Sequence, residues 1–162
     1  MPKKGAPTTT ATTELVEQGV PYALHKYEKS ATVHFYGREI ADSLGIDPAR
    51  VFETLIALTD GEPISVVVPT SSMLNVAALA AAVGASTGEI TSVEQAEKIS
   101  GFEVTAVSPI GQRKKLTTVV DITALDFPTI YISAGLRGYA VEVSADDLIR
   151  ITEARTAPVS WT

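Results

Sequence analysis

The sequence predicts an α+β fold with a largely antiparallel or mixed, curled sheet. Three observations carry that reading. Short β-branched runs outnumber the helical segments, several of these runs follow one another directly, and each helical segment has its own cap or glycine stop. A doubly wound parallel sheet would instead need strand and helix to alternate.

Residues 1–12 hold Pro, Lys, Gly and Thr with little apolar surface, so a flexible N-terminal lead-in is expected there. No internal repeat and no Pro/Gly/Ser linker divides residues 13–162, which read as one domain. Glu14–Gln18 closes a short helix that Gly19 stops. Tyr22–Tyr27 alternates as a strand does. Arg38–Leu44 puts Ile40, Ala41 and Leu44 on one helical face before Gly45. Asp47-Pro48 is a helix start, with Asp47 as cap and Pro48 supplying the fixed φ of the first turn. Glu53–Leu58 and Ile64–Val68 read as strands, the second buried by its β-branched composition. Asn75–Val83 is an alanine-rich helix ahead of Gly84. Thr91-Ser92-Val93-Glu94 reads as a capping box for a helix to Ile99. Strands are then expected at Glu103–Val107, Thr118–Ile122, Thr129–Ser133 and Tyr139–Val143. Ser144-Ala145-Asp146-Asp147 caps a last helix through Ile151.

Composition excludes several functions. The 162-residue chain has no cysteine, so disulfides, thiolate metal sites and a cysteine nucleophile are ruled out. Its 13 Lys+Arg against 19 Asp+Glu give a formal charge of −6, which disfavours sequence-independent wrapping of DNA. Met1–Thr13 lacks the apolar core of a signal peptide. The longest apolar run, Val76–Val83, falls far short of the roughly 20 residues of a bilayer span. A cytoplasmic protein with no membrane partner is expected.

Generic catalytic motifs are absent. There is no phosphate loop, no Gly-x-Ser-x-Gly elbow and no His-Glu-x-x-His. A metal site on His25 and His34 would also need convergent carboxylates; His25 falls in a strand and His34 in a loop, which favours structural or exposed roles. Asp146 and Asp147 could be an acid/base pair, but the first turn of a helix makes capping the better reading. The most unusual segment is Ser108-Pro109-Ile110-Gly111-Gln112-Arg113-Lys114-Lys115-Leu116. A turn that offers backbone N–H groups beside three cations suits a phosphate or carboxylate ligand, and a solvated hairpin is the plainer alternative. Ser133-Ala134-Gly135-Leu136-Arg137-Gly138 is likewise a ligand loop or a simple turn.

Further segments stand in the same order along the chain. They are Tyr22–Tyr27, Phe35, Leu44–Pro48, Val51-Phe52-x-Thr54-Leu55, Val66–Pro69, Gly84-Ala85, Asp121 and Thr129–Ser133. Together with the two loops they resemble the YbaK/EbsC family of aminoacyl-tRNA deacylases, related to the editing domain of bacterial prolyl-tRNA synthetases. The resemblance runs from about Ala11 to Thr152. It implies a mixed, barrel-like sheet flanked by helices. It also implies hydrolysis of a small amino acid such as Cys, Ala or Ser wrongly attached to a tRNA, often proline tRNA. The reaction would use no metal, no cofactor and no protein nucleophile, and water or the substrate's own side chain would attack. Tyr27, Phe35, Thr54 and Ser133 match pocket positions. Ser108, Pro109 and Gly111 match the loop beside the ester, and Gly135 and Arg137 the Gly-x-Arg-Gly loop.

Four positions depart from the family pattern. Glu53 stands where typical members have a lysine understood to steady the substrate's terminal phosphate or ester. Reversing that charge turns attraction into repulsion of roughly 4 kcal/mol for a pair ~4 Å apart at an effective dielectric of ~20. Thr105 replaces a glycine that lets backbone approach the ligand. Ala140 replaces an aspartate, and Leu136 a lysine. Two readings follow. In the first the chain is a freestanding deacylase in which Glu53 positions or deprotonates the attacking water. In the second it binds an aminoacyl-adenosine-like ligand or a synthetase partner without hydrolysis. Glu53 could also be an exposed strand residue or pair with Lys115. With a charge of −6, the chain should grip only the tRNA acceptor end, weakly and salt-sensitively, at Arg113, Lys114, Lys115 and Arg137. Delivery by prolyl-tRNA synthetase or another synthetase would ease that limit.

Overall fold

The computed structural model describes residues 6–29 and 36–161. Among these described residues five α-helices and eight strands form a mixed α+β domain with two sheets. The strands are β1 Ala23–Lys26, β2 Phe52–Thr59, β3 Glu62–Pro69, β4 Gly88–Ile90, β5 Thr117–Asp121, β6 Thr129–Ser133, β7 Tyr139–Ser144 and β8 Arg155–Ala157. One sheet has the order β1-β7-β6 and is antiparallel throughout. The other has the order β4-β2-β3-β5-β8, with parallel β3–β5 and β5–β8 pairs. The helices are α1 Thr10–Glu17, α2 Tyr36–Leu44, α3 Val76–Ala82, α4 Val93–Ser100 and α5 Ala145–Thr152.

The expected α+β class is therefore present, but the barrel does not close. The two sheets meet at an isolated bridge between Val51 and Tyr131, where β2 begins beside β6. The β2–β3 hairpin turns on Asp60-Gly61, with φ of 49° and 82°. A two-residue turn with both φ positive matches the right-handed twist of its strands. The Asp60 carboxylate also accepts hydrogen bonds from the Ser86 and Thr87 amides, which ties the approach to β4 back onto the turn.

β3 shows why its apolar run is continuous. Val67 enters the main core with Phe52, Ile56, Val120, Ile130, Ile132, Val141 and Leu148. Its neighbours Ile64, Val66 and Val68 face a second cluster with Leu74, Leu79, Val119 and Val159. A strand covered on both faces must be apolar on both. A third cluster, Tyr27, Ile40, Ala41, Val51, Tyr131 and Ala140, lies beneath α2.

Several elements differ from the sequence expectation. Glu103–Val107 is no strand: Val104–Ala106 forms a 3-10 turn, because this segment is pinned at both ends instead of pairing with a neighbour. Asp47-Pro48 opens a single 3-10 turn, with Asp47 accepting from the Ala49 amide. The capping box before α4 uses Ser92 and Gln95, one residue later than expected. Helix structure begins well inside the expected lead-in. Thr9 caps α1, while Ala11 and Leu15 are buried in the main core. β4 and β8 are short strands with no clear sequence signal.

Candidate active site

The cleft follows from an uneven pairing along β2. β3 covers the whole of β2, but β4 pairs only with Ala57–Thr59. The Thr91 amide still bonds the Ile56 carbonyl, but the β2 edge over residues 52–55 is free of a ladder partner on that side, and consecutive residues Phe52, Glu53, Thr54, Leu55 and Ile56 all line the cleft. Its other walls come from Ile40 of α2, residues Ile90–Val93 at the start of α4, the 104–107 turn and Ser133 at the end of β6. The enclosed volume is about 320 Å³.

The wall at 104–107 is held by two fixed bonds. Val104 donates its amide to the Glu97 carboxylate at 2.9 Å, and the Ser133 hydroxyl donates to the Ala106 carbonyl at 2.9 Å. Ser133 Oγ also accepts the Gly135 amide at 3.0 Å. Ser133 therefore fastens the turn to β6, and its hydroxyl proton is committed. Gly135 has φ of 89°, and a Cβ there would sit 2.7 Å from the Phe102 ring, so only glycine fits beneath that wall.

Two of the cleft-lining residues carry uncommitted hydroxyls. Thr54 Oγ1 and Thr105 Oγ1 are both buried with no hydrogen-bond partner. A buried polar atom without a partner is costly, and such atoms concentrate where a ligand supplies the missing bond. Among the described residues lining the cleft Glu53 is the one ionisable group, and burial lifts its carboxyl above the ordinary carboxylate range. It does not pair with Lys115, which instead donates to Glu153 at 2.9 Å.

Glu53, Thr54, Thr105 and Ser133 are thus brought together. The other residues singled out from the sequence lie elsewhere. Tyr27 is buried in the cluster under α2, and Ala140 faces the same cluster at 0% exposure. Arg137 makes a two-pronged ion pair with Glu39, at 2.9 and 3.0 Å. Phe35 and His34 lie outside the described residues. Pro109, Gly111, Arg113 and Lys115 line a different cavity of about 660 Å³ with Glu14 and Glu17, which shares no lining residue with the cleft. Ser108 is fully buried and accepts the Ile110 amide. The anion-receptive amide expected in this turn is taken by the chain itself: Gly111 donates to Glu14. Lys114 is exposed. Leu136 is exposed as well.

Asp147 and Asp146 occupy the first turn of α5, where Ser144 caps the Asp147 amide. His25 bonds Glu142 at 3.0 Å. Among the described residues no group of three His, Cys, Asp or Glu could hold a metal ion. None of the helices among them is long and apolar enough to cross a membrane. Ile40, Ile90, Val93 and Val104 were not foreseen as cleft residues. They reach the cleft from elements far apart in the chain, and no local motif marks them.

The cleft thus lies at a partly unpaired sheet edge and is lined by one half-buried carboxylate and by two threonines whose hydroxyls lack partners. Comparison with known proteins gives the class. Residues 35–151 match the profile of the aminoacyl-tRNA editing domain. The candidate Cys-tRNA(Pro)/Cys-tRNA(Cys) deacylase EbsC of Enterococcus faecalis is 30% identical over 162 residues, covering 99% of this chain and 98% of its own. A solved structure of a candidate trans-editing enzyme for prolyl tRNA synthetase superposes with a TM-score of 0.83 at 17% identity, over 97% of this chain and 100% of that one. Another, of a protein described only as hypothetical, gives 0.85 at 23%, over 94% and 100%. These two structures establish the fold. The chain belongs to the aminoacyl-tRNA editing domain family, in its YbaK/EbsC branch of aminoacyl-tRNA deacylases.

Proposed function

We propose that this chain hydrolyses a mischarged aminoacyl-tRNA in the cleft between β2 and the 104–107 turn, and that the ester carries a small amino acid such as Ala, Ser or Cys, on proline tRNA. The observation that carries this reading is the pair of unpartnered hydroxyls, Thr54 and Thr105, beside Glu53 in one cleft. A volume of about 320 Å³ is at the small end for ligand sites, which favours small side chains.

Water, or the substrate's own side chain, attacks the carbonyl carbon. For water, the new C–O bond forms as the carbonyl π bond opens onto its oxygen, and the return of that electron pair breaks the bond to the ribose oxygen. One water proton passes to that oxygen, and the free amino acid and a ribose hydroxyl result. Charge builds on the carbonyl oxygen, and the Thr54 and Thr105 hydroxyls are donors with nothing else to bond. One such donor is typically worth about 10²–10³ in rate. No metal enters this scheme. The enzyme works in the cytoplasm as a single editing domain over residues 13–162. It takes the acceptor end weakly through Arg113 and Lys114, with a synthetase delivering the tRNA.

The test is deacylation of proline tRNA charged with alanine, serine or cysteine. Release above the spontaneous rate from at least one is expected. A spontaneous rate for every member would overturn the proposal.

A further inference from the structure

Among the described residues Glu53 is the sole ionisable group lining the cleft, and it has no hydrogen bond and no ion pair. A partly desolvated carboxylate without a donor selects a cation. Its charge is also opposite to that of the lysine the family resemblance puts there, so a phosphate is the wrong partner for it. The substrate class brings one cation of its own. The α-amine of an aminoacyl ester is bonded to the carbon adjoining the reacting carbonyl, and such amines ordinarily titrate near about 7.7–8.0.

We infer that Glu53 is a substrate-binding residue that pairs with the α-ammonium of the aminoacyl ester, and so restricts the enzyme to esters whose amine is free. Two consequences follow from the geometry. An ammonium held at Glu53 puts the carbonyl carbon two bonds away, in the cleft that Thr54 and Thr105 also line. An amine kept protonated also draws electron density from the carbonyl carbon and makes it a better target for attack. An N-acyl group removes the charge, leaves the half-buried Glu53 without a partner, and adds bulk to a cleft of about 320 Å³.

This inference rests on the deacylase reading, and the experiment separates the two. One tRNA is charged with alanine and assayed with its amine free or N-acetylated, using the wild type, Glu53→Gln and Glu53→Asp. The wild type should favour the free-amine ester in kcat/KM by about ten-fold or more, the size of a charge-assisted contact. Glu53→Gln should cut the free-amine rate until the two esters differ by no more than about two-fold. Glu53→Asp should recover part of the preference. Equal slowing of both esters by Glu53→Gln would mark a carboxylate acting on water and overturn the inference, as would equal cleavage of both by the wild type. Should the wild type cleave neither ester, alanine is not its substrate and the deacylase reading is decided by the serine and cysteine esters. The inference is then decided by calorimetry with 3′-alanylamino-3′-deoxyadenosine, whose amide resists hydrolysis, and its N-acetyl derivative. A free-amine preference lost in Glu53→Gln supports it; equal binding overturns it.

Discussion

The Glu14 carboxylate receives the Gly111 amide hydrogen at 2.6 Å. Thr10 completes the contact by donating its hydroxyl to the Gly111 carbonyl at 2.7 Å. The Pro-Gly turn thus binds an anion, as its chemistry suggests, but the anion belongs to α1. Hydrogen bonds to charged groups contribute about 1.5–3 kcal/mol, less for half-buried ones. Glu14→Ala should therefore cost about 1–2 kcal/mol, read as a Tm lower by ~2–8 °C for a chain of this size. Amide exchange in α1 should speed up. An unchanged melting curve would show that the contact contributes nothing.

Gly111 itself is fixed by sterics. Its φ is 73°, and a Cβ would lie 2.4 Å from the Thr10 carbonyl carbon and 2.5 Å from the Ala11 amide nitrogen. Both are backbone atoms and cannot swing aside. Gly84 has nearly the same φ, 72°, with nothing within 4 Å. Gly84→Ala should cost only the left-handed strain of about 1–2 kcal/mol. Gly111→Ala should cost more than that, by at least about 2 kcal/mol, because α1 must also move. Urea unfolding of the two variants makes the comparison. Equal losses would refute a role for α1 packing.

The contrast between these two glycines shows what the sequence can and cannot disclose. Both read alike as turn residues, and their φ values agree. What separates them is whether a helix about a hundred residues away lies against the turn, and no local pattern records that. The same holds for the cleft. Glu53 and Thr54 stand out as neighbours on a strand, and Ser133 and Thr105 by family position. Their convergence depends on β4 pairing no farther than Ala57, which leaves the β2 edge without a strand partner over residues 52–55. β3 was legible because burial on both faces writes itself into composition. The 104–106 turn was not, because its shape is set by Glu97 and Ser133 and not by its own residues.

Glu142 links three strands. It accepts from Thr129 Oγ1 at 2.6 Å, bonds His25 at 3.0 Å, and lies 3.5 Å from Arg50. The Thr129 bond, aided by His25 and Tyr131, holds its carboxyl below the ordinary value of 4.5 against the opposing effect of burial. A lowered folded value stabilises above the unfolded one and is lost as pH falls through it. Glu142→Gln should therefore reduce the denaturation midpoint at pH 7, by no more than about 1 kcal/mol for a partly exposed group. Near pH 2–3 the difference should shrink. A gap that stays constant with pH would assign the loss to shape instead of charge.

Glu53 runs the other way. Its folded value is raised by burial, so the ionised carboxylate opposes folding. Below the ordinary 4.5 the group is protonated in both states and costs nothing. As pH climbs through the folded value the penalty comes in. Glu53→Gln should be the more stable protein at pH 7, by up to about 1 kcal/mol, and equal to wild type near pH 4. Thermal melts at the two pH values suffice. A variant less stable than wild type at neutral pH would mean that the carboxylate has a stabilising partner.

Thr54 offers the sharpest separation of stability from catalysis. It sits on β2, 6% exposed, with Oγ1 buried and unbonded. Valine keeps the branched shape and the strand preference while deleting the hydroxyl. Removing an unsatisfied buried polar atom should leave stability unchanged or raise it by a few tenths to about 1 kcal/mol. A hydroxyl used only for the fold would end the matter there. One that donates to the carbonyl oxygen as charge develops is worth more in the transition state than in the ground state. Thr54→Val should therefore lower kcat for deacylation by about 10²-fold, with KM little changed and the melting temperature equal or higher. Thr54→Ser keeps the donor and should retain most of the rate. Full activity in the valine variant would remove Thr54 from the reaction and leave Thr105 as the donor to test.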